Sequence, residues 1–300
     1  MQIGIVGAGK VGTTLGKIFS DAGIGISGYF SRTYEHAAES AAFTQSKAYR
    51  SLHELINASD MLFITVPDSM IRQVWEEITG LLQQSVNVIS LMDKVICHFS
   101  GSLSSDVFEN ADRFGAYRAS FHPVFAFSDK FHSYQQFHNV FVVGEGDPAA
   151  VERLKGVFSH TDVNILIPEA MQSGDVRAVK SRYHMASVFA SNLMIGLMET
   201  AVECLETSGF SRNEAFKILK PLAEVNLESF FKNGPANALT GPIERGDAGT
   251  VKKHLDSVKD LDPQFTAIYK DLSGKVLKIA EEKNPDRDYS LVYKALRDDQ

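Results

Sequence analysis

The chain has 300 residues, enough for two domains, and its 44% apolar and 22% charged residues describe an ordinary globular protein. A net charge near −7 without any Lys/Arg cluster speaks against a nucleic-acid partner. Cys97 and Cys204 show no metal-ligand spacing and sit in apolar surroundings, so no metal is expected, and reduced thiols suit a cytoplasmic protein.

Ile3 to Val6 is a short apolar run fit for a buried parallel strand, and Gly7-Ala8-Gly9-Lys10-Val11-Gly12 follows it as G-x-G-x-x-G. Val11, Leu15, Ile18, Phe19 and Ala22 then recur at helical spacing. Each glycine has a mechanical reason. Gly7 permits the turn, Gly9 lets the backbone approach a pyrophosphate, and Gly12 lets the helix pack close to the sheet. The diphosphate would lie against free N–H groups at the helix N-terminus. A dinucleotide is therefore expected along Gly7, Ala8, Gly9, Lys10, Val11 and Gly12.

Ile24 to Phe30 reads as the second strand. An NAD site wants Asp or Glu at its end for the ribose hydroxyls. The chain offers Ser31 and Arg32 there instead, which suit the 2′-phosphate of NADP. A helix is predicted from Tyr34, a short one over Leu52 to Ala58, and a buried strand over Met61 to Val66. Val66, Pro67 and Asp68 at that strand's carboxyl end should line the cofactor cleft, and Asp68 or Ser69 can cap the next helix. Between Ser85 and Ser100 two strands compete, Val86 to Leu91 and Val95 to Phe99, and the second is preferred for the polar turn that ends it. His98, Ser100 and Gly101 in that turn are substrate candidates. Tyr117 to His122, Val140 to Val143 and Val163 to Ile167 should extend the sheet, with His122 held in extended backbone by Pro123.

From Glu169 the pattern becomes all-α, which divides the chain into domains 1–168 and 169–300. The first helix, Val176 to Cys204, carries no charge between His184 and Glu199, so its middle should be buried nearly all round. Lys180, His184, Ser187 and Ser191 form one polar stripe along it, beside Asn192. Met185 to Met198 is too short and too rich in Ser, Asn and Ala to span a bilayer, so no membrane partner is expected. Gly209 ends that helix, Ser211 to Glu214 is a capping box, and a further helix runs from Pro221 to about Lys232. Asn237 to Asp247 is irregular, with Asp247 able to cap the next helix and Asp262-Pro263 opening the last long one.

The segments GAGKVG, TVPDSMI, HFSG, SFHPVFAF, YHMASVFASN and NALTGPIERGD followed by TVKKHL resemble a family of NADP oxidoreductases with a Rossmann-like N-terminal domain and an uncharacterised helical C-terminal domain. More distantly the layout is similar to ketopantoate reductase, pyrroline-5-carboxylate reductase and the β-hydroxyacid dehydrogenases. The resemblance implies an α/β Rossmann-type domain followed by an all-α domain of the 6-phosphogluconate dehydrogenase C-terminal type, dimeric through the helical domain. Some of those relatives place a proton-donating lysine on the interdomain helix, and Lys180 and His184 hold that type of position. Ketopantoate reductase has Asn one turn after its Lys, where this chain has His184.

The expected activity is NADPH-dependent reduction of a small carbonyl substrate, a 2-oxo acid such as ketopantoate. An imine reductase of the pyrroline-5-carboxylate reductase type and a non-catalytic NADP sensor are the alternatives. Lys180 or His184 would give the proton, and Asn192 is the third catalytic candidate. His98, Ser100, Gly101, His122, Ser191, Thr240 and Arg245 would meet the substrate, Arg245 suiting a carboxylate.

Overall fold

The computed structural model describes residues 1–83, 89–172 and 174–297. Two compact units divide the chain, Met1–Ala190 and Ser191–Gln300. The first alternates β1 (Gln2–Val6), α1 (Lys10–Asp21), β2 (Gly25–Phe30), α2 (Tyr34–Phe43), β3 (Lys47–Tyr49), α3 (Leu52–Asn57), β4 (Met61–Ile64), α4 (Asp68–Gln83) and β5 (Val95–His98). It continues with β6 (Tyr117–Pro123), β7 (Val140–Gly146), α5 (Pro148–Phe158), β8 (Val163–Leu166) and α6 (Val176–Val188).

The strands lie in the order β3-β2-β1-β4-β5-β6-β7-β8. From β3 to β6 neighbouring strands run parallel, which is the arrangement of two mononucleotide-binding halves. β7 then pairs antiparallel with β6, and β8 runs parallel to β7. Strand residues alternate between two apolar layers. Ile5, Phe63 and Cys97 face a core closed by Leu15 and Phe19 of α1 and Leu154 of α5, while Leu62, Ile64 and Ile96 face Leu55 of α3 and Ile71 and Trp75 of α4. Ligands in such sheets bind outside the carboxyl ends of the strands.

Three features of the first unit depart from the sequence reading. β3 is not foreseen, because three residues with only Tyr49 buried carry no periodic signal. Of the two competing strands, Val95–His98 is β5; Val86 to Val88 of the other lie outside the described residues, and Ile89 to Leu91 form no strand. The predicted domain boundary lies at 168/169, whereas the first unit runs to Ala190 and includes α6, because Lys180 and Tyr183 bond to residues of the sheet.

Beyond a π-helical turn at Phe189–Leu193, the second unit holds α7 (Met194–Thr207), α8 (Arg212–Asn233), α9 (Pro235–Ala238), α10 (Pro242–Arg245), α11 (Ala248–Val258), α12 (Pro263–Lys283) and α13 (Ser290–Arg297). The Ser211/Glu214 capping box forms as the sequence predicts. The separate helix expected to begin at Pro221 does not exist, since α8 is continuous with Pro221 inside it. Pro221 cannot donate to the Lys217 carbonyl, a local cost of about 3 kcal/mol that a 22-residue helix with a complete N-terminal cap absorbs.

The irregular 237–247 stretch is a structural latch. Gly241 and Gly246 take φ of +105° and +76°, Glu244 accepts from Asn284 Nδ2 at 3.0 Å, and Asp247 caps α11 through the Thr250 N–H at 2.9 Å.

The helix read as buried nearly all round is not buried in the single chain. Only 6% of the apolar window in Val176–Thr207 is covered, and by length and composition alone this helix, longer than the Met185 to Met198 stretch within it, could cross a membrane. Met185, Phe189, Leu193 and Ile195 are exposed on it.

Candidate functional site

The glycine turn behaves as its spacing requires. Gly7 takes φ +108°, and a Cβ there would lie 2.9 Å from the Thr65 carbonyl carbon. A Cβ on Gly12 would collide with the Gly7 carbonyl oxygen and the Thr65 hydroxyl, so only glycine lets α1 start this close to β4. At Gly9 a Cβ would meet nothing within 4 Å, which leaves open space against the first turn of α1. A cleft of about 190 Å³ follows, lined by Gly7, Ala8, Gly9, Ser31, Arg32, Val66 and Pro67 among others. Arg32 is exposed at this cleft and makes no ion pair among the described residues. That free guanidinium and the open space over Gly9 fit an anionic dinucleotide with a 2′-phosphate.

Lys10, Val11, Gly12 and Asp68 do not line this cleft. Lys10 is exposed at the start of α1, and Val11 packs on the core. Thr65 does line it, although it is not among the sequence candidates; its hydroxyl donates to the Gly7 carbonyl at 2.7 Å, tying the end of β4 to the turn.

Asp68 points instead to the turn after β5. Its carboxylate accepts from the hydroxyls of Ser100 at 2.6 Å and Ser102 at 2.9 Å, while Ser100 Oγ in turn accepts from the Leu103 N–H at 3.0 Å. The cleft-lining segment Thr65–Pro67 therefore runs straight into the residue that holds the second turn.

Gly101, in that turn, is buried and lies close to two imidazoles. A Cβ on it would lie 2.6 Å from His184 Nδ1 and 2.9 Å from His122 Nε2. His122 Nδ1 is 2.7 Å from the Tyr183 hydroxyl. Burial, and then the Lys180 ammonium and His184, push His122 down to about 4, so at neutral pH it is uncharged and accepts the Tyr183 proton. Burial pushes the Tyr183 phenol up to about 12, which keeps it a donor. His184 Nδ1 is buried and has no hydrogen-bond partner among the described residues. A buried polar atom without a partner is uncommon and marks a place where a ligand can complete the bonding.

Two candidates are corrected by their surroundings. His98 is fully buried with both ring nitrogens in use, Nε2 toward the Ser104 carbonyl at 3.1 Å and Nδ1 from the Ser100 N–H at 3.2 Å. Burial and the Lys180 ammonium hold it down at about 3, so it shapes the turn as a neutral ring and offers nothing to a substrate. Lys180 is 1% exposed. Its ammonium donates to the Ser100 carbonyl at 3.1 Å and to the Ser120 hydroxyl, and lies 3.8 Å from the Glu145 carboxylate. Burial pushes it down to about 8 against the opposing pull of Glu145, and burial likewise raises the Glu145 carboxyl. The nitrogen read as a proton donor is enclosed by protein.

Glu145, Ser120 and Tyr183 are not among the sequence candidates. A signal exists for Glu145, since it is the one charged residue within the strand VFVVGEG, and β7 sets it opposite Ser120. Asn192, Ser191, Thr240 and Arg245 belong to the second unit. There Ser191 Oγ donates to Asn192 Oδ1 at 3.0 Å, and Arg245 is exposed. Thr240 lines an apolar cavity of about 540 Å³ together with the hydrogen-bonded pair His254 and Tyr269. No group of His, Cys, Asp and Glu among the described residues could hold a metal ion.

Residues 2–94 match the family described as NADP oxidoreductase, coenzyme F420-dependent, and residues 140–276 match a domain of unknown function, DUF2520. No curated protein matches the chain. Among solved structures, protein TM1727 from Thermotoga maritima is 25% identical with a TM-score of 0.68, covering 94% of this chain and 99% of its own. A reductive aminase from Aspergillus terreus, solved with NADPH and ethyl-5-oxohexanoate, is 16% identical with a TM-score of 0.65 over 98% of both chains. An imine reductase from Pseudomonas sp. is 16% identical with a TM-score of 0.62 over 99% of both. The glycine turn, the free Arg32 beside it and the two matches give the chain an NADP oxidoreductase domain over residues 2–94 and a DUF2520 domain over residues 140–276, and make it an oxidoreductase with NADP as its cofactor.

Proposed function

We propose that the chain reduces the C=O or C=N bond of a small substrate lying against the Ser100–Gly101–Ser102 turn, with a 2-oxo acid such as ketopantoate as the first candidate. The observation that carries this reading is the unpartnered Nδ1 of His184, buried over Gly101 beside His122. Gly7 to Gly9, Ser31 and Arg32 would hold NADPH, which would supply the hydride. His184 gives the proton to the atom that takes up the electron pair, and His is suited to that task near neutral pH. His122 and Tyr183 orient the substrate through their shared hydrogen bond.

A second reading, reduction of an imine, is favoured by Asp68. Its carboxylate at the turn complements the positive charge of an iminium group. The reductive aminase and imine reductase of like fold act in that chemistry, and at 16% identity they support the architecture alone.

Following NADPH absorbance with 2-oxo acids, ketopantoate first, and with cyclic imines separates the two. His184→Ala should lower kcat by about 10²- to 10⁴-fold with NADPH affinity kept. No NADPH consumption with any member of either class overturns the proposal.

The helical unit is further proposed to carry a homodimer. The support is apolar surface left open on α7 and α8, where Ile195, Val225 and Phe231 are 65 to 79% exposed, since patches of this kind mark interaction sites. A cytoplasmic location is proposed on the two free thiols, Cys97 and Cys204.

A further inference from the structure

Glu145 is a buried carboxyl that the reaction above does not use. With Lys180 it forms an ion pair whose side chains are 4% and 2% exposed. Burying two charges is expensive, and apolar side chains of similar size fill such a space at no loss of stability. What an apolar pair cannot supply is directional bonding.

The remaining bonds of the pair converge on one short segment. Lys180 Nζ donates to the Ser100 carbonyl at 3.1 Å. Glu145 Oε1 accepts from the Ser105 N–H and Oε2 from the Ser105 hydroxyl, both at 2.7 Å. Ser100 and Ser105 bracket Gly101 and Ser102, so one ion pair grips both ends of the turn. The sheet makes this possible: the antiparallel β7 brings Glu145 opposite Ser120, whose hydroxyl also receives Lys180. His98 adds a third hold, binding the Ser100 N–H and the Ser104 carbonyl.

We propose that Glu145 and Lys180 are positioning residues, a two-ended clamp that fixes the 100–105 turn against His122 and His184 and thereby sets substrate affinity. This rests on the reading that substrate lies on that turn. Neither residue touches the substrate.

The test uses the full chain with Glu145→Gln, Lys180→Met and the milder Ser105→Ala, which removes a single bond to Glu145. Amide hydrogen exchange over 100–105, NADPH affinity, and KM against kcat for whichever of ketopantoate or 1-pyrroline is turned over are measured together. In the first two variants exchange over 100–105 should rise at least tenfold while NADPH Kd stays within twofold. KM should rise about tenfold or more and kcat fall less than threefold. Ser105→Ala should move exchange and KM about threefold in the same direction, and it serves if the other variants fail to fold.

Unchanged exchange in the segment overturns the clamp. So does a collapse of kcat with unchanged KM in Lys180→Met, which would make Lys180 the proton donor itself. Exchange and NADPH binding need no turnover. A loosened segment in a protein whose wild type reduces neither probe therefore sinks the proposed reaction, while unchanged exchange in an active enzyme sinks the clamp alone.

Discussion

The Nδ1 of His122, at the end of β6, and the hydroxyl of Tyr183, on α6, lie 2.7 Å apart and share one proton. Because burial keeps the ring neutral and the phenol protonated, the direction is fixed: Tyr183 donates and His122 accepts, which assigns the remaining His122 proton to Nε2 over Gly101. Tyr183→Phe removes the donor and frees the ring to turn. A loss in kcat/KM of about tenfold, matching one neutral hydrogen bond of about 1 to 1.5 kcal/mol, is expected from initial rates. NADPH affinity should not change.

Gly101→Ala tests the packing of the two imidazoles. The added methyl would meet His184 Nδ1 at 2.6 Å and the His122 ring at 2.9 Å, closer than carbon and nitrogen can sit. Both rings must retreat, and a displacement of about 1 Å at a reacting group costs about 10²-fold. Steady-state rates should fall by that factor, with the melting temperature lowered only modestly.

Arg32→Ala should weaken NADPH by about 10- to 100-fold, the worth of one or two charge-assisted hydrogen bonds to a phosphate, and NADH by less than twofold. Titrating both nucleotides against the variant checks it. Equal losses would remove Arg32 from the 2′-phosphate.

Stability should fall in acid through the buried histidines. His98 is held at about 3 and His122 at about 4 in the folded chain, both below the ordinary 6.5. Between those values the unfolded chain binds more protons, so the stability is complete above pH 6.5 and is lost as pH drops toward 4 and 3. The loss is about 1.4 kcal/mol per histidine for every pH unit that separates its folded from its unfolded value. Melting temperatures from pH 7 to pH 4 should decline. His98→Gln keeps a donor for the Ser104 carbonyl and should melt lower at pH 7 with a shallower acid dependence.

Light scattering should give a mass of about twice the 33.1 kDa chain. Phe231→Glu combined with Ile195→Glu, both on uncovered helix surface, should shift the protein toward single chains.

Much of the architecture is legible in the sequence because it follows from local pattern. Ile3 to Val6, the glycines and the α1 periodicity announce the first β-α unit, and Ser211 and Glu214 announce the start of α8. The candidate site is legible only in part. His122 can be placed because Pro123 fixes its backbone, but nothing within β6 says that Tyr183, 61 residues on, supplies its partner. Helical spacing turns Lys180 toward a ligand, because spacing gives a face of the helix and not what packs on it. Glu145 escapes notice for the same reason: its partners come from 35 and 40 residues away, through a strand reversal that a string of apolar residues does not reveal. The expected burial of the helix centre fails because composition reports a need for cover without reporting what supplies it, and the described residues leave this helix largely open.

The reach of Lys180 back into the sheet constrains how the molecule can be dissected. A fragment cut at residue 168, where the helical character begins, would leave the Glu145 carboxyl without its countercharge. A fragment ending at Ala190 keeps it. The compact unit that holds the glycine turn is therefore the longer piece, and its final helix is as much a part of it as the opening glycines.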